Sequence, residues 1–261
     1  MKKTSFLITP ILLGSLLSAL LFIFFSFDDK GPSFELSDPE MAPEPLKKEV
    51  MHGYKLMLNT WRMLPDHVGD KLTCSNCHFN GGDTKGGRNN GIPLTGVAAV
   101  YPTYNKRADQ VIDLPTRINS CFERSMNGKK LDPESCSMRA LVTYLQWISR
   151  GYPIYQPIPW RGLEPIKTES KPDPVKGAQV FKTYCADCHG KEGHGQNNDT
   201  LQVPALWGNG SFNDGAGMHH VDTLAAFIHA NMPYNIPELS EEEALNVAAY
   251  IHDQPRPHFK D

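Results

Sequence analysis

The chain has 261 residues, with 26 lysines and arginines against 29 aspartates and glutamates, a formal net charge of −3. That length allows one large domain or two small ones, and the near-neutral balance excludes a general affinity for nucleic acid. With 40% hydrophobic residues, the part beyond the N-terminus can bury an ordinary core.

Lys2 and Lys3 precede an apolar run from Phe6 to Phe27 that contains no charge. About 20 apolar residues in a helix span a bilayer core, whereas a secretory h-region is typically about 7–15 residues and ends in a small-x-small cleavage site. This run ends in Leu20, Leu21, Phe22, Ile23, Phe24 and Phe25, which offers no such site. The lysines belong on the cytoplasmic side and the remainder is translocated. An uncleaved N-terminal membrane anchor over 1–28 is therefore expected in preference to a cleaved signal peptide, with export in either case. A proline-rich acidic stretch from Asp28 to Pro45 follows, giving a linker over 29–48.

From Glu49 to Leu64, Val50, Tyr54, Leu56, Met57, Trp61 and Leu64 recur at helical spacing. Cys74-Ser75-Asn76-Cys77-His78 comes next, and Cys185-Ala186-Asp187-Cys188-His189 repeats the pattern after a helix predicted from Pro174 to Tyr184. An even cysteine count in an exported chain first suggests disulfides, but this spacing has its own chemistry. Two thiols add to the vinyl groups of haem, and the adjacent histidine is thereby aimed at the iron. A redox dithiol or a four-cysteine zinc site would make both histidines accidents. Each half also closes on a helix. In the first, Asp132 is the expected cap and Pro133 the first helical residue, with Met138, Leu141, Val142, Leu145 and Ile148 on one face. In the second, Ser240 and Glu243 have capping-box spacing before Ala244, Leu245, Ala248 and Ile251.

Between the halves, Gly151 to Pro174 holds six prolines and reads as a linker. The predicted fold is all-α: two tandem cytochrome c-type domains over 49–152 and 175–261, joined by a linker over 153–174, after an N-terminal membrane helix. Each domain forms around one covalent haem c, and without that macrocycle each is too small to fold well.

The sixth ligand decides what each haem does, since a distal methionine raises the potential of an electron-transfer haem. In the second half Met232, before Pro233, is the candidate and Met218 its competitor. Moving the same distance beyond His78 as Met232 lies beyond His189 lands on Cys121. A thiolate there would be a strong donor and a nucleophile. The other reading puts Met126 on the iron, with Cys121 free or in a disulfide with Cys136, and spacing alone leaves both open. His52, His67, His194, His219, His220, His229, His252 and His258 read as surface or core residues, with bis-histidine ligation through His219, His220 or His229 a minor alternative. Gly81-Gly82 and Gly86-Gly87 read as turns.

The stretch from Arg117 to Gly128, with Asn119-Ser120-Cys121-Phe122-Glu123-Arg124-Ser125-Met126 at its centre, resembles the signature of dihaem thiosulfate dehydrogenases. So do Cys74 to His78, Tyr144-Leu145-Gln146-Trp147, and the tail from Val247 to Ile251 and Gln254 to Pro257. The resemblance covers about residue 50 to 257. It implies a His78/Cys121-ligated active-site haem, a His189/Met232-ligated electron-transfer haem, and substrate-pocket roles for Arg107, Arg117 and Ser125. Arg124 is a weaker candidate for the same pocket. The implied reaction couples two thiosulfates to tetrathionate, or runs in reverse, with Cys121 forming a covalent adduct with the first thiosulfate. A guanidinium fork suits a sulfonate, and charge-assisted bonds are about twice as strong as neutral ones.

Two residues depart from the family pattern. Cys136 is not expected from it, which leaves a disulfide with Cys121 open, and Asn231 stands where some members place a redox-switched lysine ligand, so no such switch is expected here. The implied acceptor is a small c-type cytochrome, and the implied location is the periplasmic face of the inner membrane. The competing classes are a dihaem electron carrier using Met126, a dihaem peroxidase, and a sulfur-carrier cytochrome subunit.

Overall fold

In the computed structural model, residues 34–197 and 202–260 are described. The membrane anchor expected over 1–28 lies outside them, as does the start of the linker. Among the described residues no helix is long and apolar enough to cross a membrane.

The first half opens with α1 (Lys47–Leu58) and the short α2 (Thr60–Met63), and closes with α4 (Cys136–Trp147). Between them lie the hairpin β1 (Thr103–Asn105) and β2 (Gln110–Ile112), and α3 (Leu114–Ser120), which runs on into a wider π-type turn at Cys121–Ser125. The second half has α5 (Pro174–Tyr184), α6 (Ala186–His189), α7 (Val221–Asn231) and α8 (Glu241–His252), with a two-residue hairpin of β3 (Gln196–Asn197) and β4 (Gln202–Val203). The fold is mostly helical, and both hairpins are antiparallel pairs of minimal length.

In each half the first and last helices cross and pack. Val50, Gly53, Leu56 and Met57 on α1 meet a face of α4 that buries Met138, Leu141, Tyr144 and Leu145. Each such aliphatic or aromatic side chain contributes about 1.5–3 kcal/mol when fully buried. A methyl group at Gly53 would lie 2.1 Å from the Ala140 carbonyl oxygen, and one at Gly177 on α5 would lie 2.0 Å from the Asn246 oxygen on α8. Both crossings therefore depend on a bare backbone at the point of contact.

Two boundaries differ from the sequence expectation. The Glu49–Leu64 helix is broken at Asn59, whose backbone leaves the helical region (φ −135°, ψ 39°). The break turns the buried Thr60 inward, where its hydroxyl donates to the Leu56 carbonyl at 2.8 Å and accepts the Cys74 N–H at 3.1 Å. Asp132 does not cap α4. It accepts the Glu134 N–H in a tight turn, and Ser135 Oγ accepts the Met138 N–H as the cap. Pro133 and Glu134 are exposed, so a helix starting there would gain no burial. By contrast α5 has the expected bounds, with Asp173 capping it, and Ser240 and Glu243 form the expected reciprocal box. The 151–173 segment holds no helix or strand.

Replacing Gly53 or Gly177 with alanine should force the crossing helices apart and lower stability by about 1–3 kcal/mol each. Urea unfolding of the haem-loaded variants, followed by helical circular dichroism, measures this directly.

Candidate functional site

Both Cys-x-x-Cys-His segments wind into one turn: the His78 N–H donates to the Cys74 carbonyl at 3.0 Å, and the His189 N–H to the Cys185 carbonyl at 2.9 Å. That turn puts two thiols and an imidazole on one side of the backbone. Each ring is then aimed by a carbonyl further along the chain. His78 Nδ1 lies 2.8 Å from the Ile92 oxygen and His189 Nδ1 lies 3.0 Å from the Pro204 oxygen. With the Nδ1 proton committed there, Nε2 keeps its lone pair for a metal. Among the described residues neither Nε2 has a hydrogen-bond partner.

The electrostatics agree. Burial lowers the His78 imidazole to about 4 against the pull of the Ile92 carbonyl, and the nearby Arg117 guanidinium lowers it further. Burial pushes the Cys74 thiol up to about 11 and the Cys77 thiol to about 12, with the Cys121 sulfur adding to both shifts. Burial likewise takes Cys185 to about 12 and lowers His189. Each motif offers neutral thiols and a neutral imidazole with a free nitrogen, and the first has the soft Cys121 sulfur near its thiols. That set fits a covalently held haem, whose thioether links carry no charge.

Near the first motif, α3 starts at an Asp113 cap with Pro115 in its first turn and delivers Arg117 and Cys121 one turn apart. Arg117 Nη1 lies 2.8 Å from Cys121 Sγ. The sulfur in turn raises the pKa of the guanidinium. Tyr101, whose own hydroxyl is raised by burial, lies against the same guanidinium. Nothing in the spacing of the sequence marked Tyr101, because a long loop brings it in.

The other predicted pocket residues are placed less directly. Arg107, beyond the hairpin's first strand, gives its Nη1 to the Gly215 carbonyl at 2.9 Å. Ser125 ends the π-type turn that begins at Cys121. The Arg124 guanidinium lies 3.9 Å over the Phe259 ring. Cys136 is an exposed free thiol on α4, 3.3 Å from Arg139 Nη2, and forms no disulfide with Cys121. Met126 is buried in the first core, 4% exposed, and Met218 in the second, 9% exposed. Met232 caps the C-terminus of α7 and is half-buried beside the second core. Of the minor histidine alternatives, His219 stacks on His252 at 4.5 Å and His229 Nδ1 is bonded to the Leu239 oxygen. Asn89 bonds the second half, its backbone N–H donating to the Ala230 oxygen at 2.6 Å.

The two halves meet along the site. Cys77, Phe79 and Ile92 of the first half border the second core. Asn213, 2% exposed, reaches from the second half to the Cys121 turn: its N–H donates to the Arg124 oxygen at 3.2 Å and its amide to the Glu123 oxygen at 2.8 Å. No local pattern singled out Asn213, since both partners lie in the other half.

Comparisons with known proteins follow the same division. The family described as SoxA/TsdA, cytochrome c domain, matches residues 66–154, and that described as cytochrome c oxidase, cbb3-type, subunit III, matches 172–251. Thiosulfate dehydrogenase from Psychrobacter arcticus is 37% identical over 230 residues, 87% of this chain and 69% of that protein. The thiosulfate dehydrogenase of Allochromatium vinosum is 34% identical over 239 residues, 89% of this chain and 88% of that one. The solved thiosulfate dehydrogenase TsdBA from Marichromatium purpuratum, in its as-isolated form, superposes with a TM-score of 0.76 at 34% identity. That match covers 83% of this chain and 48% of the solved chain, so this chain spans about half of it.

Replacing Asn213 with alanine strands the Glu123 carbonyl and should cost about 1–3 kcal/mol. Urea unfolding followed at the haem Soret band tests this, and an unchanged midpoint would show that the contact carries no weight.

Proposed function

The chain belongs to the thiosulfate dehydrogenase family, and from that membership we propose that it oxidatively couples two thiosulfates to tetrathionate, passing two electrons through two c-type haems to an acceptor. The observation that carries this reading is the 2.8 Å contact between Arg117 Nη1 and Cys121 Sγ, with the same guanidinium close enough to His78 to lower its pKa. A plain electron carrier needs no cation beside a sulfur there. The methionine it would use at that haem, Met126, is packed into the core.

His78 and Cys121 would hold the first haem iron, His189 and Met232 the second, with thioether links at Cys74, Cys77, Cys185 and Cys188. When bound, the haems accept the two electrons released, one each. The protein supplies the rest. Arg117, with Arg107 and Ser125 completing the pocket, offsets the charge of two approaching dianions through charge-assisted bonds to sulfonate oxygens. The Cys121 sulfur joins the sulfane sulfur of the first thiosulfate, and two electrons leave as this S–S bond forms. The sulfane sulfur of the second thiosulfate then attacks the sulfane sulfur of the adduct. That forms the central bond of tetrathionate and returns Cys121 as thiolate, with no proton consumed. Tetrathionate reduction uses the same groups in the reverse order.

The domain division that goes with this reading is 49–152 for the active-site haem and 175–261 for the electron-transfer haem, with 153–174 as linker. The uncharged run from Phe6 to Phe27 behind two lysines supports an N-terminal anchor on the periplasmic face of the inner membrane. A small c-type cytochrome is the acceptor.

The test is ferricyanide reduction by the purified haem-loaded protein. Thiosulfate-dependent turnover with tetrathionate formed is expected, and Cys121→Met should lose it. No turnover with thiosulfate or tetrathionate, despite full haem loading, would return the protein to the electron carriers. Arg117→Gln removes a bond to a charged group worth about 1.5–3 kcal/mol, so kcat/KM for thiosulfate should fall roughly ten- to a hundredfold.

A further inference from the structure

The residue before Met232 is a fully buried amide whose two hydrogen bonds the reaction leaves unused. Asn231 Oδ1 accepts the Gly91 N–H at 2.8 Å, across the boundary between the halves, and its Nδ2 donates to the Phe227 oxygen at 3.0 Å. Burying an amide costs free energy unless it is bonded on both sides, and a leucine of similar volume would fill the space with nothing to satisfy.

Gly91 is itself part of the first haem site. It sits at φ 66°, and a Cβ there would lie 2.8 Å from the Cys77 carbonyl oxygen, so this backbone is pressed against the haem motif. The next residue, Ile92, donates its N–H to the Cys77 carbonyl at 2.9 Å, and its own carbonyl holds His78 Nδ1. Around this point the Asn89 N–H reaches Ala230, and the Phe79 ring meets Phe227 at 6.0 Å and Tyr234 at 5.3 Å. One side chain thus joins the backbone that carries Met232 to the loop that orients His78.

We propose that Asn231 is a positioning residue that couples the two haem sites, by tying the Met232 backbone to the Gly91-Ile92 segment that holds the first histidine. The proposal rests on the reading of His78 and Met232 as iron ligands. Its physical consequence is a two-ended effect. A carbonyl on Nδ1 makes the imidazole a stronger donor and favours ferric iron, so slackening it raises the first potential. A methionine held on the iron raises the second potential, so freeing Met232 lowers it.

The experiment is a spectroelectrochemical titration of both haems in the full haem-loaded protein and in Asn231→Leu, together with the near-infrared charge-transfer band of methionine-ligated ferric haem. The expected result is that the first haem becomes easier and the second harder to reduce. Each redox equilibrium should move about tenfold, ~59 mV for a one-electron couple, and the methionine band should weaken. An unchanged first potential overturns the coupling, whatever happens at the second. If Asn231→Leu fails to load haem, Asn231→Ser, too short to reach the Gly91 amide, serves the same comparison. Met232→Ala separates the two layers: should the band be missing in the wild type or survive that substitution, the ligand reading fails and the coupling falls with it.

Discussion

Two imidazole N–H groups, each given to a backbone carbonyl 14 or 15 residues further along, fix what the rest of this protein can do. A Cys-x-x-Cys-His turn by itself leaves the ring free to rotate. The Ile92 and Pro204 carbonyls remove that freedom and choose the nitrogen that faces the pocket. Burial of both rings keeps them neutral, which is the state a metal needs. The helices matter mainly as the frame that brings those carbonyls back. Thr60, turned inward by the break at Asn59, ties that frame to Cys74.

On this shared frame the halves diverge in the segment that carries the proposed sixth ligand. In the second, α7 delivers Met232 from its C-terminus. In the first, α3 widens into a π-type turn, and Cys121 arrives with Arg117 one turn before it. On the proposed reading, a thioether ligand needs no counter-charge, whereas a thiolate ligand and an anionic substrate do. If Cys121 and Met232 are the ligands proposed, the difference between an electron relay and a site that makes sulfur–sulfur bonds comes down to one short helix and the cation it carries.

The features legible in the sequence are those set by neighbours along the chain: the two motifs, the bounds of α5, and the Ser240–Glu243 box. Asp132 misled because two capping residues stood close together, and the one nearer the apolar face, Ser135, won. The break at Asn59 went unseen because its reason, the Thr60 to Cys74 contact, spans 14 residues. Tyr101, Asn213 and the bridging role of Asn231 were invisible for the same reason, since each meets partners far away in sequence. Arg117 and Cys121 are one turn apart on a helix, and the family signature could therefore reveal them. The burial of Met126 and the free Cys136 thiol are properties of packing, which spacing left open.

The contact between halves has a bearing on how the molecule is put together. Asn213 and Asn231 both belong to the later part of the chain, yet they satisfy the Glu123 carbonyl and the Gly91 amide of the earlier part. During synthesis and export the N-terminal half emerges first, with those two groups still facing water. The earlier half is therefore not self-sufficient, since two of its backbone groups are satisfied by side chains that the later half supplies.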